Sequence, residues 1–293
     1  MGGLKAAAAA AKDADTSAAY EYCLQLARER FRSFPVGLRF MAGSTRRHVA
    51  ALYAFIRIAD DFADEPEFEG SRVQRLEDWG RQFWDLGQAP PQHPVFLALG
   101  RTLSELSLPR EPFAQILSAF QQDCAKTRYE TEAELLDYCR RAAEPVGRLV
   151  LMIHGYRDEE LFKLSDKMCA ALQLASLLQD LGCDLRRDRL YIPQEDLKAF
   201  SYTEADLRMG VVNERYRDLI KTQWKRARAL FEEGRDLPKR LSWPLNWEVR
   251  LAWLGGMELL RKVHKLGYDV LSRRASISAW DWTGLVLKAL AKR

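Results

Sequence analysis

The chain has 293 residues, of which 47% are hydrophobic and 29% charged, so it can bury a substantial core in one or two domains. Its formal charge of +4 describes a mildly basic surface and argues against nucleic-acid binding. Five scattered cysteines without a CxxC pair and four histidines without an HxxxH pair disfavour disulfides and a zinc site, and they predict reduced thiols in a cytoplasm-like compartment.

Composition and periodicity predict an all-α protein. Leu, Ala, Arg and Glu dominate, Gly and Pro are few, and runs of β-branched residues are scarce. Residues 1–19 are small and Ala-rich, which predicts a disordered tail, whereas helical periodicity starts at Tyr20. The sequence contains no uninterrupted apolar run of about 18 residues, so we expect no transmembrane helix.

The later helices are predicted from the breaks between them. Ser33–Gly37 ends the first helix, Ser44 or Thr45 is expected to cap the second, and Pro66 ends that second helix. Further predicted helices span Ser71–Leu86, Val95–Leu106, Phe113–Thr127, Phe162–Cys183 and Asn213–Gly234.

The second predicted helix carries an acidic stripe. Tyr53, Arg57, Asp60 and Asp64 recur at steps of three and four residues, so they share one helix face, with Asp61 beside them. Three acids within five positions repel one another unless a cation lies among them, and carboxylates are the ligands that Mg²⁺ prefers. The alternative is a solvated acidic helix end. Asp123, on a later helix, is a further but weak candidate ligand.

A second acidic stripe lies on the long apolar helix Phe162–Cys183. Gln173, Ser176, Asp180 and Asp184 recur at steps of three, four and four among leucines. Because an ionised carboxylate is costly to bury without a partner, both aspartates need one. A metal shared with the first stripe is the preferred interpretation, and a buried ion-pair network is the alternative.

The segment between the stripes and the C-terminal third are less specific. Tyr138, small residues, Pro145 and Gly147 precede an apolar run, which predicts a kinked core helix with room for a close approach. The C-terminal third combines tryptophans with Lys and Arg, a pattern that suits an anionic membrane surface. The preferred interpretation is that most of these tryptophans lie in the core: Trp243, Trp247, Trp253, Trp280 and Trp282.

The two stripes, the Tyr138 segment and Arg189-Leu190-Tyr191-Ile192-Pro193 resemble the squalene/phytoene synthase type of trans-isoprenyl diphosphate synthases. The resemblance covers the chain from about Tyr20 to its end. Ser33–Val36, Glu144–Leu151 and Gln179 directly before Asp180 are most similar to bacterial hydroxysqualene synthases of hopanoid biosynthesis.

The resemblance implies a single-domain, isoprenoid-synthase-type helical bundle over residues 20–293, around a central apolar cavity with the acidic helices facing each other. It implies Mg²⁺ as the cofactor and a prenyl diphosphate, either presqualene or farnesyl diphosphate, as the substrate. The implied metal ligands are Asp60, Asp61, Asp64, Ser176, Asp180 and Asp184. The implied catalytic residues are Tyr53, Arg57, Tyr138, Arg189 and Tyr191, and the implied substrate-binding residues are Arg32, Ser33, Phe34, Val146, Gly147, Gln173 and Gln179.

Three hypotheses follow from the resemblance. The first is a hydroxysqualene synthase that ionises presqualene diphosphate, captures water and hands its product to a squalene-forming oxidoreductase. The second is a head-to-head condensing enzyme, which Gln179 disfavours because those enzymes carry Arg there. The third is a non-catalytic prenyl-lipid binder or assembly protein.

Two residues depart from the pattern: Ser176 stands where the family usually has Asn, and Glu144 stands where the subgroup usually has Asn. We expect a cytoplasmic protein that contacts the inner face of the cytoplasmic membrane only peripherally.

Overall fold

The computed structural model describes residues 2–30, 41 and 43–291, and within these residues the protein is all-α, without a β-strand. The helices are α1 (Gly2–Arg30), α2 (Gly43–Asp64), α3 (Arg72–Trp84), α4 (Pro94–Leu106), α5 (Glu111–Ala125), α6 (Glu132–Ala142), α7 (Glu144–Ile153), α8 (Glu159–Arg186), α9 (Gln194–Ala199), α10 (Glu204–Arg208), α11 (Glu214–Gly234), α12 (Leu245–Lys265) and α13 (Ala279–Ala291). Short 3-10 turns lie at Pro66–Phe68 and Leu237–Arg240. The all-α prediction is confirmed.

Helix boundaries differ from the predictions in a few places. The backbone of residues 2–19 is helical as the first part of α1, because Ala has the highest intrinsic helix propensity; disorder of this segment in solution stays a prediction. Ser44 and Thr45 lie inside the first turn of α2 rather than capping it. Pro145 lies in the first turn of α7, where its missing N–H costs little, so a new helix starts there instead of a kink.

The chain forms two compact units. The first contains Met1–Cys124 and Leu149–Tyr156, and the second contains Ala125–Arg148 and Arg157–Arg293. A catalytic domain over residues 20–293 stays a prediction. Among the described residues, no helix is both long and apolar enough to span a lipid bilayer.

In the first unit, α1 and α4 pack on α2, and α3 covers another side of it. Phe55 on α2 is fully buried, and its ring contacts those of Trp79, Phe83, Phe96 and Phe113 with centroid distances of 5.4–6.2 Å. The indole N–H of Trp79 donates to the Phe55 carbonyl at 3.2 Å. Aromatic packing therefore fixes the helix that carries the first acidic stripe.

A buried polar contact joins three helices of the same unit. The Thr102 hydroxyl on α4 lies 2.9 Å from both the Tyr20 hydroxyl on α1 and the His48 Nδ1 on α2. Burial lowers the pKa of His48. One turn beyond Tyr20, Cys23 is fully buried. These contacts pair the buried Tyr20 and Thr102 hydroxyls and the His48 Nδ1 with one another.

In the second unit, α8 is the central helix and α11 is its main partner, with α6 and α12 against its other sides. Asp158 caps α8 by accepting from the backbone N–H groups of Glu160 and Leu161 at 2.7 and 3.2 Å. Gly182 allows another segment to approach closely: a Cβ there would lie 2.8 Å from the Leu271 carbonyl oxygen. The second acidic stripe therefore lies on a helix that is enclosed along most of its length.

Candidate functional site

Two carboxylates of the first acidic stripe are paired with an arginine of the same helix. The Arg57 guanidinium lies 2.9 Å from an Asp60 carboxylate oxygen, is hydrogen-bonded to Asp61, and lies 3.6 Å from Glu65. These partners sit three, four and eight residues further along, so the pairing follows from helical spacing. Arg57 is half-buried, and its Nε is buried without a hydrogen-bond partner.

The carboxylates of this stripe still repel one another. Burial, together with the nearby Asp64, Asp61 and Asp123, raises the pKa of Asp60 to about 6, although Arg57 opposes this shift. Asp123 is itself buried on α5. The structure therefore brings the weak candidate Asp123 into the electrostatic neighbourhood of Asp60. Such a concentration of carboxylates would be stabilised by a bound cation.

The second acidic stripe has a partner from a distant part of the chain. Asp180 pairs with Arg274, whose Nε and Nη2 lie 2.7 and 2.6 Å from one Asp180 oxygen. The neighbouring Gln179 amide donates to the Ala275 carbonyl. The segment at 274–275 is thereby fixed against α8 by two successive residues. This pair corresponds to the ion-pair network that the sequence analysis considered as the alternative to a metal. An exposed ion pair of this kind is weak enough to rearrange.

An apolar cleft lies along the same face of α8. Its empty volume is about 410 Å³, part of it open to solvent. Asp184 contributes the one carboxylate of its lining, and the other lining residues are Leu135, Leu174, Leu177, Leu178, Leu181, Tyr191, Ile192 and Gln223. The lining of the cleft is therefore apolar except for Asp184, Tyr191 and Gln223.

Three tyrosines form one cluster beside this cleft. Tyr138 and Tyr191, both predicted as site residues, pack with Tyr129, and the three ring centroids are 5.6 Å apart in each pair. Tyr129 is fully buried, and the Lys126 ammonium lies 5.0 Å from its ring centroid. The structure therefore brings Tyr138 and Tyr191 together with Tyr129, which the sequence analysis did not single out; the roles of Tyr138 and Tyr191 stay a prediction.

The loop that follows α8 is held by Arg128. Its guanidinium contacts an Asp188 carboxylate oxygen at 2.8 Å and a Glu204 carboxylate oxygen at 2.6 Å. Next to it, the Leu190 N–H donates to the Thr127 carbonyl at 2.9 Å. The partners of Arg128 are 60 and 76 residues away in the chain, so no local sequence signal reveals them. This network positions the predicted residues on either side of Leu190.

Those two residues, Arg189 and Tyr191, differ in exposure. Arg189 is buried and Tyr191 is half-buried at the cleft. Among the other predicted residues, Ser176 is exposed on α8 and Gln173 is half-buried. Arg32, Ser33 and Phe34 lie outside the described residues.

The segment around Gly147 packs closely on α8. A Cβ at Gly147 would lie 2.4 Å from the Ser165 hydroxyl and 2.5 Å from the Cys169 sulfur, so any other residue here would require these two side chains to move. Nearby, Arg148 forms a two-point ion pair with Asp166 at 2.9 and 2.5 Å. Burial, with a contribution from Asp166, raises the pKa of Glu144 to about 7. A cavity-lining role for Val146 and Gly147 stays a prediction.

The part of the chain that the structure describes contains no preformed metal centre. No group of three His, Cys, Asp or Glu side chains there is arranged to hold a metal ion. The metal ligands named from the sequence therefore stay a prediction, and so do the catalytic and substrate-binding roles.

The chain is similar to known proteins over most of its length. The squalene/phytoene synthase family model matches residues 27–281. A phytoene synthase of Arthrospira platensis is 31% identical over 280 residues, 91% of each chain, and a 15-cis-phytoene synthase of Synechococcus elongatus is 30% identical over 279 residues, again 91% of each.

Solved structures give the same result. The crystal structure of squalene synthase HpnC from Alicyclobacillus acidocaldarius is 36% identical, with a TM-score of 0.82 over 87% of this chain and 96% of that one. A dehydrosqualene synthase in complex with a ligand has a TM-score of 0.85 at 23% identity, over 96% and 98% of the two chains, and shows the shared fold. The chain therefore belongs to the squalene/phytoene synthase family of head-to-head prenyltransferases, with the all-α fold of isoprenoid synthases.

Proposed function

We propose that the protein ionises presqualene diphosphate with the help of Mg²⁺ and captures the resulting cation with water, which gives hydroxysqualene and diphosphate. The observation that carries this proposal is Gln179. It is neutral, and its amide is hydrogen-bonded to the Ala275 carbonyl. A side chain held in this way supplies no positive charge for a second diphosphate, so the site suits a reaction that consumes one.

The residues present fit the metal that the family implies. The donors are carboxylate oxygens, and the pKa of Asp60 is raised by burial and by Asp64, an arrangement that a cation would relieve. We propose that Mg²⁺ is held by carboxylates of two helices and by one hydroxyl: Asp60, Asp61 and Asp64 on α2, and Ser176, Asp180 and Asp184 on α8. Protein Mg²⁺ sites commonly combine one or two carboxylates with waters and substrate phosphates. When bound, Mg²⁺ would stabilise the charge of the departing diphosphate.

The chain's own residues would do the rest of the chemistry. We propose that Arg57, Arg32 and Ser33 bind the diphosphate end of the substrate, and that Arg189 and Tyr191 close that end. The carbon–oxygen bond breaks, and its electron pair leaves with the diphosphate. Positively charged side chains around the diphosphate favour that step. A water oxygen then bonds to the cation and loses a proton.

The apolar end of the substrate has a matching surface. The leucines of α8 that line the cleft would bind the prenyl chain and exclude bulk water. We propose that Tyr53, Phe34 and Tyr138 lie near the reacting carbons, since the face of an aromatic ring attracts positive charge. Val146, Gly147 and Gln173 are proposed to complete the binding surface.

The direct test is diphosphate release by the full-length protein with Mg²⁺, using presqualene diphosphate or farnesyl diphosphate alone, with extracted products weighed by mass spectrometry. A hydroxylated thirty-carbon alcohol from presqualene diphosphate, and no product from farnesyl diphosphate, is the expected result. Asp180→Asn should abolish release, whereas Asp137→Asn, an exposed acid of the same unit, should not.

Condensation of two prenyl diphosphates is the second candidate, and the phytoene synthases among the relatives favour it. Product from farnesyl or geranylgeranyl diphosphate alone would establish it in place of hydroxysqualene formation. No product from any of these substrates in a folded protein would favour the non-catalytic prenyl-lipid binder. If hydroxysqualene is formed, its low solubility in water calls for transfer to a squalene-forming oxidoreductase, which we propose as the partner.

A further inference from the structure

The last helix exposes an apolar face. On α13, Trp280, Leu287 and Leu290 are 86%, 63% and 52% exposed. Their spacing of seven and ten residues places them on one side of the helix, while Leu285 and Ala289 are buried on the other. Single exposed apolar residues are ordinary, but several on one helix face over about 15 Å form a surface that can bind something apolar.

This apolar face continues onto the segment before α12, which contains Trp243. Leu290 and Trp243 line one groove with an empty volume of about 1270 Å³, and Trp243 is itself 60% exposed. Lys239 and Arg250 border the same groove. We define Trp243, Trp280, Leu287 and Leu290 as the C-terminal apolar patch.

The patch lies in the basic part of the chain. Residues 235–293 contain twelve Lys and Arg against five Asp and Glu, a formal charge of +7, whereas the chain as a whole carries +4. The remaining residues are therefore slightly acidic. The five acids add little negative charge at the surface, because they are buried or paired with a cation: Glu248 and Asp269 are buried, and the pairs are Asp236–Lys239, Glu258–Arg261 and Asp281–Lys262.

We propose that the C-terminal apolar patch docks on an anionic phospholipid surface. Tryptophan favours the boundary between headgroups and acyl chains, leucines on the same helix face enter the acyl region, and the basic surroundings are attracted to anionic headgroups. A second copy of the chain would bring two basic regions together, so charge favours the lipid. This inference goes beyond the proposed reaction and holds for either choice of substrate.

The test is sedimentation of the full-length protein with vesicles, without any prenyl diphosphate, so that its outcome is independent of catalysis. The vesicles are pure phosphatidylcholine or an equal mixture of phosphatidylcholine and phosphatidylglycerol. We expect binding at least about tenfold stronger with the mixture, and weaker binding as salt is added. The double variant Trp280→Ser/Leu287→Ser should lower binding by about tenfold.

Matched controls test the patch itself. Trp84→Ser/Met209→Ser changes two residues that are also exposed but lie outside the patch, and it should bind as the wild type does. Arg240→Glu/Lys288→Glu changes exposed charges of the basic region and should weaken binding to the mixed vesicles only. Because all these side chains are exposed, the variants should retain their circular dichroism spectra.

Three results would overturn the proposal. One is equal or negligible binding to the two kinds of vesicle. Another is an equal loss of binding in the patch variant and in the control variant. The third is a dimer, detected by light scattering, that the patch variant loses while vesicle binding is unchanged; that result would assign the patch to a second copy of the chain.

Discussion

The helices α2 and α8 both carry closely spaced aspartates, but they neutralise them by different means. On α2 the cation is Arg57, one turn away on the same helix. On α8 the cation is Arg274, which comes from 94 residues further along the chain. The first arrangement survives as long as the helix does, whereas the second depends on the docking of a separate segment. The stripe on α2 is therefore paired through local helical spacing, whereas the stripe on α8 gains its cation only when the tertiary structure forms.

The largest expected effect concerns catalysis, where the two helices should be equivalent. Asp64→Asn and Asp180→Asn should each lower kcat for diphosphate release by on the order of 10³ or more, since each would remove a ligand of the proposed metal site. Thermal unfolding should change little. Steady-state assays with saturating Mg²⁺ measure this.

Exposed acids on the same two units serve as controls: Asp78→Asn in the first and Asp137→Asn in the second should keep wild-type rates. If either ligand variant also kept the wild-type rate, its helix would have no part in metal binding.

A second difference is in the packing that holds each helix. Phe55→Ala should lower the free energy of unfolding by about 3–5 kcal/mol, because it leaves a large cavity among four aromatic rings. Leu178→Ala should cost about 2 kcal/mol, at the low end for a buried leucine, because Leu178 already borders the apolar cleft.

Urea unfolding followed by circular dichroism measures both variants. Equal losses would mean that the cleft wall is as tightly packed as the aromatic core of the first unit.

The arginines themselves should differ in their contribution to stability. Arg57→Gln should cost about 1–2 kcal/mol without Mg²⁺, since it leaves half-buried carboxylates without their cation. Arg274→Gln should cost less than about 1 kcal/mol, because this pair is largely exposed. Denaturation in the presence of a chelator compares them, and the reverse order would contradict the contrast between local and long-range pairing.

The smallest effect is a pH dependence specific to α2. The pKa of Asp60 rises from 3.8 when unfolded to about 6 in the folded protein, so its contribution to stability is full below pH 4 and is lost as the pH rises through 6. The loss should be on the order of 1 kcal/mol, since 35% of the side chain remains exposed.

Asp60→Asn should make the fall in stability between pH 4 and pH 7 smaller by that amount, measured without Mg²⁺. If the stability of the wild type rose over this range while that of Asp60→Asn did not, burial would not be the dominant influence on the pKa of Asp60.

The sequence predicted those features that depend on neighbouring residues. Helical periodicity located α8 within three residues at each end, with Phe162–Cys183 expected and Glu159–Arg186 observed. The stripe around Asp60 was recognised in the same way. The role of Pro145 was misjudged because a proline in an apolar run looks the same whether it kinks a helix or starts one.

Long-range partners could not be predicted. The pairing of Asp180 with Arg274 and the contact of Gln179 with Ala275 are set by where residues 271–275 pack, and no local pattern encodes that. Tyr129 was missed for the same reason, since its partner Tyr191 lies across a turn that Arg128 stabilises. Trp243 and Trp280 are likewise exposed, although they were expected in the core, because long-range packing decides which tryptophans are covered.

The tight packing at Gly147 also affects the chemistry of Cys169. Burial raises the pKa of this thiol to about 12, and it does the same for Cys23 in the first unit, so at neutral pH neither forms the reactive thiolate. Cys23 is fully buried whereas Cys169 is half-buried, so an alkylating reagent reaches the Cys23 sulfur only when its surroundings open. The labelling rate of Cys23, followed by mass spectrometry, would therefore report how often the first unit opens, and whether substrate binding slows that opening.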